Sequence, residues 1–179
     1  MAMDLITTNT SSGAASSDFT TGIDSTYKLY IFKFYDVNPA TDATLFTFQV
    51  NADGQSGFNE TMTTTFFRAY HNEGDTARLL GYLTTSDQAQ GTSYQQLADG
   101  VGNGADELFM GELHLFNPAS TTYVKHFYAR TGYQDAASYQ VEAFIAGYIN
   151  TTAAIDEIDF KMASGNFDGI IKLYGISKS

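Results

Sequence analysis

The stretch YKLYIFKF, residues 27–34, decides how the rest of the chain is read. In an extended strand alternate side chains point to opposite faces, so Leu29 and Ile31 share one face and Tyr30, Phe32 and Phe34 the other. Both faces are apolar, the pattern of a strand covered on both sides. Downstream, LFTFQV (45–50) alternates cleanly, with Phe46, Phe48 and Val50 facing in and Thr47 and Gln49 facing out. The two strands are joined by YDVNPATDA, whose Asn38-Pro39 pair signals a turn. NADGQSG then breaks the chain ahead of TMTTTFFRAY, a Thr-rich strand whose β-branched residues suit a pleated surface.

Residues 71–107 carry weaker signals: short strands around RLLGYL and SYQQL, and a wide loop at DGVGNG. After them come LFMGELHLF, TYVKHFYAR, SYQVEAFIAGYIN, AIDEIDFKM and GIIKLYGI. In AIDEIDFKM, Ile158, Phe160 and Met162 alternate with Glu157, Asp159 and Lys161, and the following ASGNFDG is a Gly-bearing hairpin loop. SYQVEAFIAGYI also has a helical reading, but its aromatic and β-branched content favours strand. About eight to ten strands with such regular turn signals predict an all-β fold, an antiparallel β-sandwich of jelly-roll-like type. Residues 7–17, TTNTSSGAASS, are polar, small and aperiodic. They predict an extended N-terminal arm over residues 1–22, flexible alone or laid on a neighbour and dispensable to the fold, ahead of a single sandwich domain over 23–179.

Composition narrows the function. The 179 residues suffice for one domain, and 14 Phe and 12 Tyr give it a core. A formal charge of −11, with only 9 basic residues and no basic cluster, argues against nucleic acid, whose phosphates demand cations. The same charge disfavours an anionic membrane surface. There is no cysteine, so disulfides and thiolate sites are excluded. MAMDLITTNTSSG has neither the cationic nor the apolar region of a signal peptide.

Chemistry-bearing constellations are few. In GELHLFNPASTTYVKHFYAR (111–130) two strands fold back around Asn117-Pro118, which would set His114 opposite or diagonal to His126. Two imidazoles with Glu112 nearby form a weak metal candidate, against the plainer reading of rings packed on a sheet. DGVGNGADE (99–107) offers Asp99, Asn103, Asp106 and Glu107 as calcium-ligating oxygens, but Met110 falls where an EF-hand places its bidentate Glu. The plainer reading is a loop that needs Gly and Asn for its turns. Glu157 and Asp159 share an outer, solvated face, with Asp156 on the other, so they form no catalytic pair. No nucleophile elbow, P-loop or H-E-x-x-H occurs, and the residues predict neither an enzyme nor a resident cofactor or metal.

The ordered series STYKLYIFKF, TTTFFRAYHNE, GELHLFNPASTTYVKHFYA, AGYINTTAAIDEIDFKM and SGNFDGIIKLYGI resembles tailed-phage virion structural proteins, frequent in aquatic phages. The likeness runs over residues 5–176, and GELHLFNPAS with the closing IKLYGI is its most specific part. It implies a β-sandwich building block of the particle, present in several copies, and brings no catalytic residues. The expectation is a capsid decoration or cement subunit in the virion. Its partners would be itself, as a homotrimer, and other virion proteins such as the major capsid protein. The alternative is a tail or fibre carbohydrate-binding module that attaches to host glycans through exposed Tyr.

Overall fold

A computed structural model describes residues 2–177, and the chain folds as thirteen β-strands in two antiparallel sheets packed face to face. In chain order these are β1 (Met3–Ala14), β2 (Ser17–Phe19), β3 (Leu29–Pro39), β4 (Phe46–Ala52), β5 (Met62–Asn72), β6 (Arg78–Tyr82) and β7 (Ala89–Gly91). They continue with β8 (Gln95–Gln96), β9 (Phe109–Phe116), β10 (Lys125–Gln134), β11 (Tyr139–Ile149), β12 (Ile155–Met162) and β13 (Phe167–Ile176). The large sheet runs β1-β13-β3-β9-β10-β11-β5-β6, with β7 also on β5, and the small sheet runs β2-β12-β4-β8. The expected sandwich is therefore present, and the ambiguous SYQVEAFIAGYI is strand β11. The count exceeds ten because β2, β7 and β8 are pieces of only two or three residues. The chain changes sheet on either side of β2, β4, β8 and β12, whereas β9, β10 and β11 form a simple meander.

Phenylalanine fills the space between the sheets. Phe32 and Phe34 of β3, Phe109 of β9 and Phe127 of β10 meet Phe46 and Phe48 of β4 and Phe160 of β12, all buried. Ring centroids lie 4.7 Å apart for Phe46–Phe109 and 5.2 Å apart for Phe34–Phe160, tilted or edge-on as the ring quadrupoles prefer. The expected inward sets, Tyr30/Phe32/Phe34, Phe46/Phe48/Val50 and Ile158/Phe160/Met162, are all in this core.

Two outward sets are less wet than their alternation implies. Thr47, Gln49 and Asn51 point away from the core yet are buried. Gln49 donates from Nε2 to the carbonyls of Glu60 (3.0 Å), Thr92 (3.2 Å) and Ser93 (3.1 Å), so loops roof the small sheet. The outer side of β3 is the reverse case. Ile31 is buried there with no second layer over it, flanked across the ladders by His114 and Tyr174.

The N-terminal segment is not a free arm. Residues 3–14 form an edge strand of the large sheet, paired with β13 from Met3↔Ile176 to Ala14↔Phe167. Gly13, at φ 59°, helps turn the chain toward the small sheet, where β2 pairs with β12. Hydrogen bonds fasten that crossing: Gly13 N–H donates to Asp168 Oδ1 (2.6 Å) and Asn166 Nδ2 to the Gly13 carbonyl (2.8 Å). Polar, small residues fit here because an edge strand with one wet face needs backbone pairing more than apolar side chains. A boundary at residue 22 therefore cuts through the sandwich.

Candidate functional site

Among the described residues no layer of the chain covers the outer face of the large sheet, and its centre is a groove of about 600 Å³. Glycines make its floor. At Gly111 of β9, φ is 150°, and a Cβ would lie 2.5 Å from the Arg130 carbonyl oxygen across the ladder. Gly132 of β10 pairs with Met110, whose side-chain end would lie 2.9 Å from an added Cβ. Without side chains at these two positions the neighbouring long ones stand as walls.

The walls carry both charges and an aromatic ring. Lys33 Nζ sits 3.2 Å from Glu112 Oε2, and Arg130 is paired with Glu142. Tyr35 and Met110 are 39% and 50% exposed at the rim, and Gln140 adds an amide. Donors and acceptors thus alternate around an apolar floor, a lining that suits a neutral hydroxyl-rich ligand or a polar protein surface. Glu112 is shared by Lys33 and the adjacent histidine. Burial pushes its carboxyl up, but hydrogen bonds from His114 and Lys33, and their charges, hold it below the usual 4.5.

The two histidines lie on the same face of adjacent strands in the expected diagonal relation, His126 being two residues from the residue opposite His114, but their side chains take different partners. Tyr128, not His126, stands opposite His114. The Tyr128 hydroxyl is 3.1 Å from His114 Nδ1, Glu112 Oε1 is 2.8 Å from Nε2, and the Tyr128 and His114 rings stack at 4.5 Å. His126 is exposed beside Tyr148, with ring centroids 6.0 Å apart. The reason is loop length. Asn117-Pro118 opens a connection that runs to Val124, and the resulting register falls two residues short of setting His126 directly opposite His114.

The calcium candidates do not converge either. Asp99 is committed to Arg68 and to the Tyr133 hydroxyl. The Asn103 backbone N–H donates to Asp42 Oδ1 at 3.2 Å. Glu107 folds back to accept from the Gly104 N–H at 2.7 Å, its carboxylate filling the space beside Gly102 and Gly104. Asp106 lies with Leu108 at a separate shallow depression. Among the described residues no three His, Cys, Asp or Glu side chains gather as a metal would need.

Two clusters escape local reading. The first is Arg68–Asp99–Tyr133, which ties β5, the loop before β9 and β10 together. Burial, reinforced by Asp99, pushes the Tyr133 phenol up, so it remains a donor. These three residues are far apart in sequence, and nothing near any of them signals the others. The second is Asp159, expected on a solvated face but only 5% exposed. The Tyr94 hydroxyl donates to its Oδ2 at 2.8 Å, whereas Oδ1 has no protein partner among the described residues. Burial raises its carboxyl above the usual 3.8. Lys161 lies over the Tyr94 ring at 3.8 Å and closes this cluster.

A scan against protein-family models and a search of curated proteins find no match to this chain.

Proposed function

We propose that the chain is a non-enzymatic structural subunit of a tailed-phage virion, a capsid decoration or cement protein. The observation that carries this reading is the uncovered outer face of the nine-stranded sheet. Tyr35, Phe67, Met110, Phe116 and Tyr128 are all exposed on it, an apolar area of the kind that marks interaction surfaces. The likeness of residues 5–176 to virion structural proteins supports the same reading. In the proposed mechanism the Phe-packed sandwich is a rigid brick. Its outer face, rather than a free N-terminal arm, meets the major capsid protein or sister copies. Quantitative mass spectrometry of purified particles tests this against the major capsid protein. Hundreds of copies, scaling with the shell, are expected of a decoration protein; absence from the particle would overturn the assignment.

A second reading is favoured by the groove itself, in which Tyr35, Gln140 and two ion pairs surround a glycine floor. It makes the chain a glycan-binding module of a tail or fibre, present in a few to a few tens of copies. A glycan array probed with the parent and with Gly132→Ala, which narrows the groove, separates the two: hits lost in the variant support the module, and no hits oppose it.

A further inference from the structure

The two edges of the large sheet are built differently, and the difference points to a partner. β1 is a guarded edge: Thr, Ser and Asn dominate it, and its register shifts at Leu5/Thr7 and Ser11/Ala14 break a flat template. β6, Arg-Leu-Leu-Gly-Tyr, has no such protection. Its ladder with β5 is regular from Phe67↔Tyr82 to His71↔Arg78, and it holds no proline, bulge or acidic residue. Leu79, Leu80 and Tyr82 are 51%, 72% and 53% exposed, so both faces of this strand are open.

The backbone of β6 has a definite polarity. Asn72 N–H donates to the Ala77 carbonyl and Leu83 N–H to the Phe66 carbonyl. With the observed register, residues 79 and 81 therefore turn their backbone toward β5. Arg78, Leu80 and Tyr82 turn their N–H and C=O groups outward, an unused antiparallel template.

We infer that β6 is a self-association edge, on which a second copy of this chain adds antiparallel about a two-fold axis at Leu80. Leu80 then faces Leu80 of the second copy, and Arg78 faces its Tyr82. Every outward N–H and C=O of the three residues finds a partner. This register sets Arg78 against Tyr82 of the second copy, whereas a two-fold at Arg78 would set like charges face to face. Arg78, 73% exposed at its side chain, also pairs with Asp75 Oδ1 of its own chain at 3.3 Å, and the Tyr82 hydroxyl it would meet donates to Asp87 Oδ2 at 2.6 Å. A guanidinium is thus brought to an aromatic face that already carries a carboxylate. The two-fold also keeps both outer faces on one side. Leu80 and Tyr82 share that face with Phe67, which stacks on Phe144 at 5.0 Å, so the apolar strips of two copies join. Such a contact is isologous and closes at two copies, in place of the threefold arrangement expected from the resemblance. It does not depend on the virion assignment.

Light scattering on the full chain over a concentration series tests the inference. The expected result is twice the 19.5 kDa chain mass, dissociating on dilution. Leu80→Pro deletes only the outward N–H, which edge strands tolerate, and Arg78→Glu reverses the charge. Each should weaken the dimer by about tenfold or more while thermal unfolding of the monomer stays near the parent's. Because the chain has no cysteine, Leu80→Cys gives a single thiol that a short bis-maleimide should couple to its copy, whereas Leu5→Cys on the guarded edge should not couple. If Leu80→Pro fails to fold, Arg78→Glu and the cross-link decide. A monomer at every concentration, a trimer, or a dimer indifferent to Arg78→Glu would overturn the proposal.

Discussion

The covered part of the large sheet and the part that overhangs the small sheet are stabilised by different means. Over β3, β9, β10 and most of β11, the inner face is sealed by Phe46, Phe48 and Phe160, and stability comes from apolar burial and ring packing. Past Phe66 on β5 the lid ends. There Arg68 and Tyr70 replace phenylalanine on the inner face, held by Asp99, Tyr133 and Tyr139, and β6 has open sides. One sheet thus serves two purposes: a rigid centre and a margin with an exposed edge strand.

Substitutions sharpen this contrast in graded steps. Phe160→Ala should cost the most, about 3–5 kcal/mol in denaturant unfolding, because it empties a site touched by rings from both sheets. A loss below about 1 kcal/mol would mean that the centre is not sealed as described. Tyr133→Phe should cost less, about 1–3 kcal/mol, since it leaves Asp99 buried with one donor fewer. Equality with Phe160→Ala would erase the distinction between the two regions.

The roofed outer side of the small sheet gives a pH-dependent test. Asp159 titrates above 3.8 in the folded chain, so its protonated form favours folding. Its contribution to stability should therefore rise as pH falls through that raised value and be lost as pH increases. Asp159→Asn should remove this component, being as stable as the parent or more so at neutral pH and gaining less on acidification. A parallel pH profile for parent and variant would contradict the burial of this carboxyl. The smallest effect belongs to the margin. Leu79→Ser, on an open face of β6, should change monomer stability by no more than about 0.5 kcal/mol. A large loss would show that the overhang has a cover of its own.

The inward-facing sets were readable from alternation, as with Tyr30, Phe32 and Phe34, with Phe46, Phe48 and Val50, and with Ile158, Phe160 and Met162. What was not readable depended on partners distant in sequence. TTNTSSGAASS looks like an arm because an edge strand held by backbone pairing to β13 has no apolar stripe to announce it. Thr47, Gln49 and Asp159 look solvated because the loops that roof them lie far along the chain. The groove was invisible for a related reason. Gly111 and Gly132 read as weak points of two strands, and only the register that sets them side by side makes them a floor. The histidines were placed correctly on one face, but the length of a loop decided that His114 meets Tyr128.

The position of β13 between β1 and β3 sets an order of events during synthesis. β1 waits for β13 to be made, since β1 pairs along its length with residues 167–176. A nascent chain still lacking them leaves the facing edges of β1 and β3 bare, so the large sheet closes only when translation of this segment ends. Long-range pairing of that kind is slow to form. β13 is thus the strand on which closure of the large sheet around β1 and β3 depends.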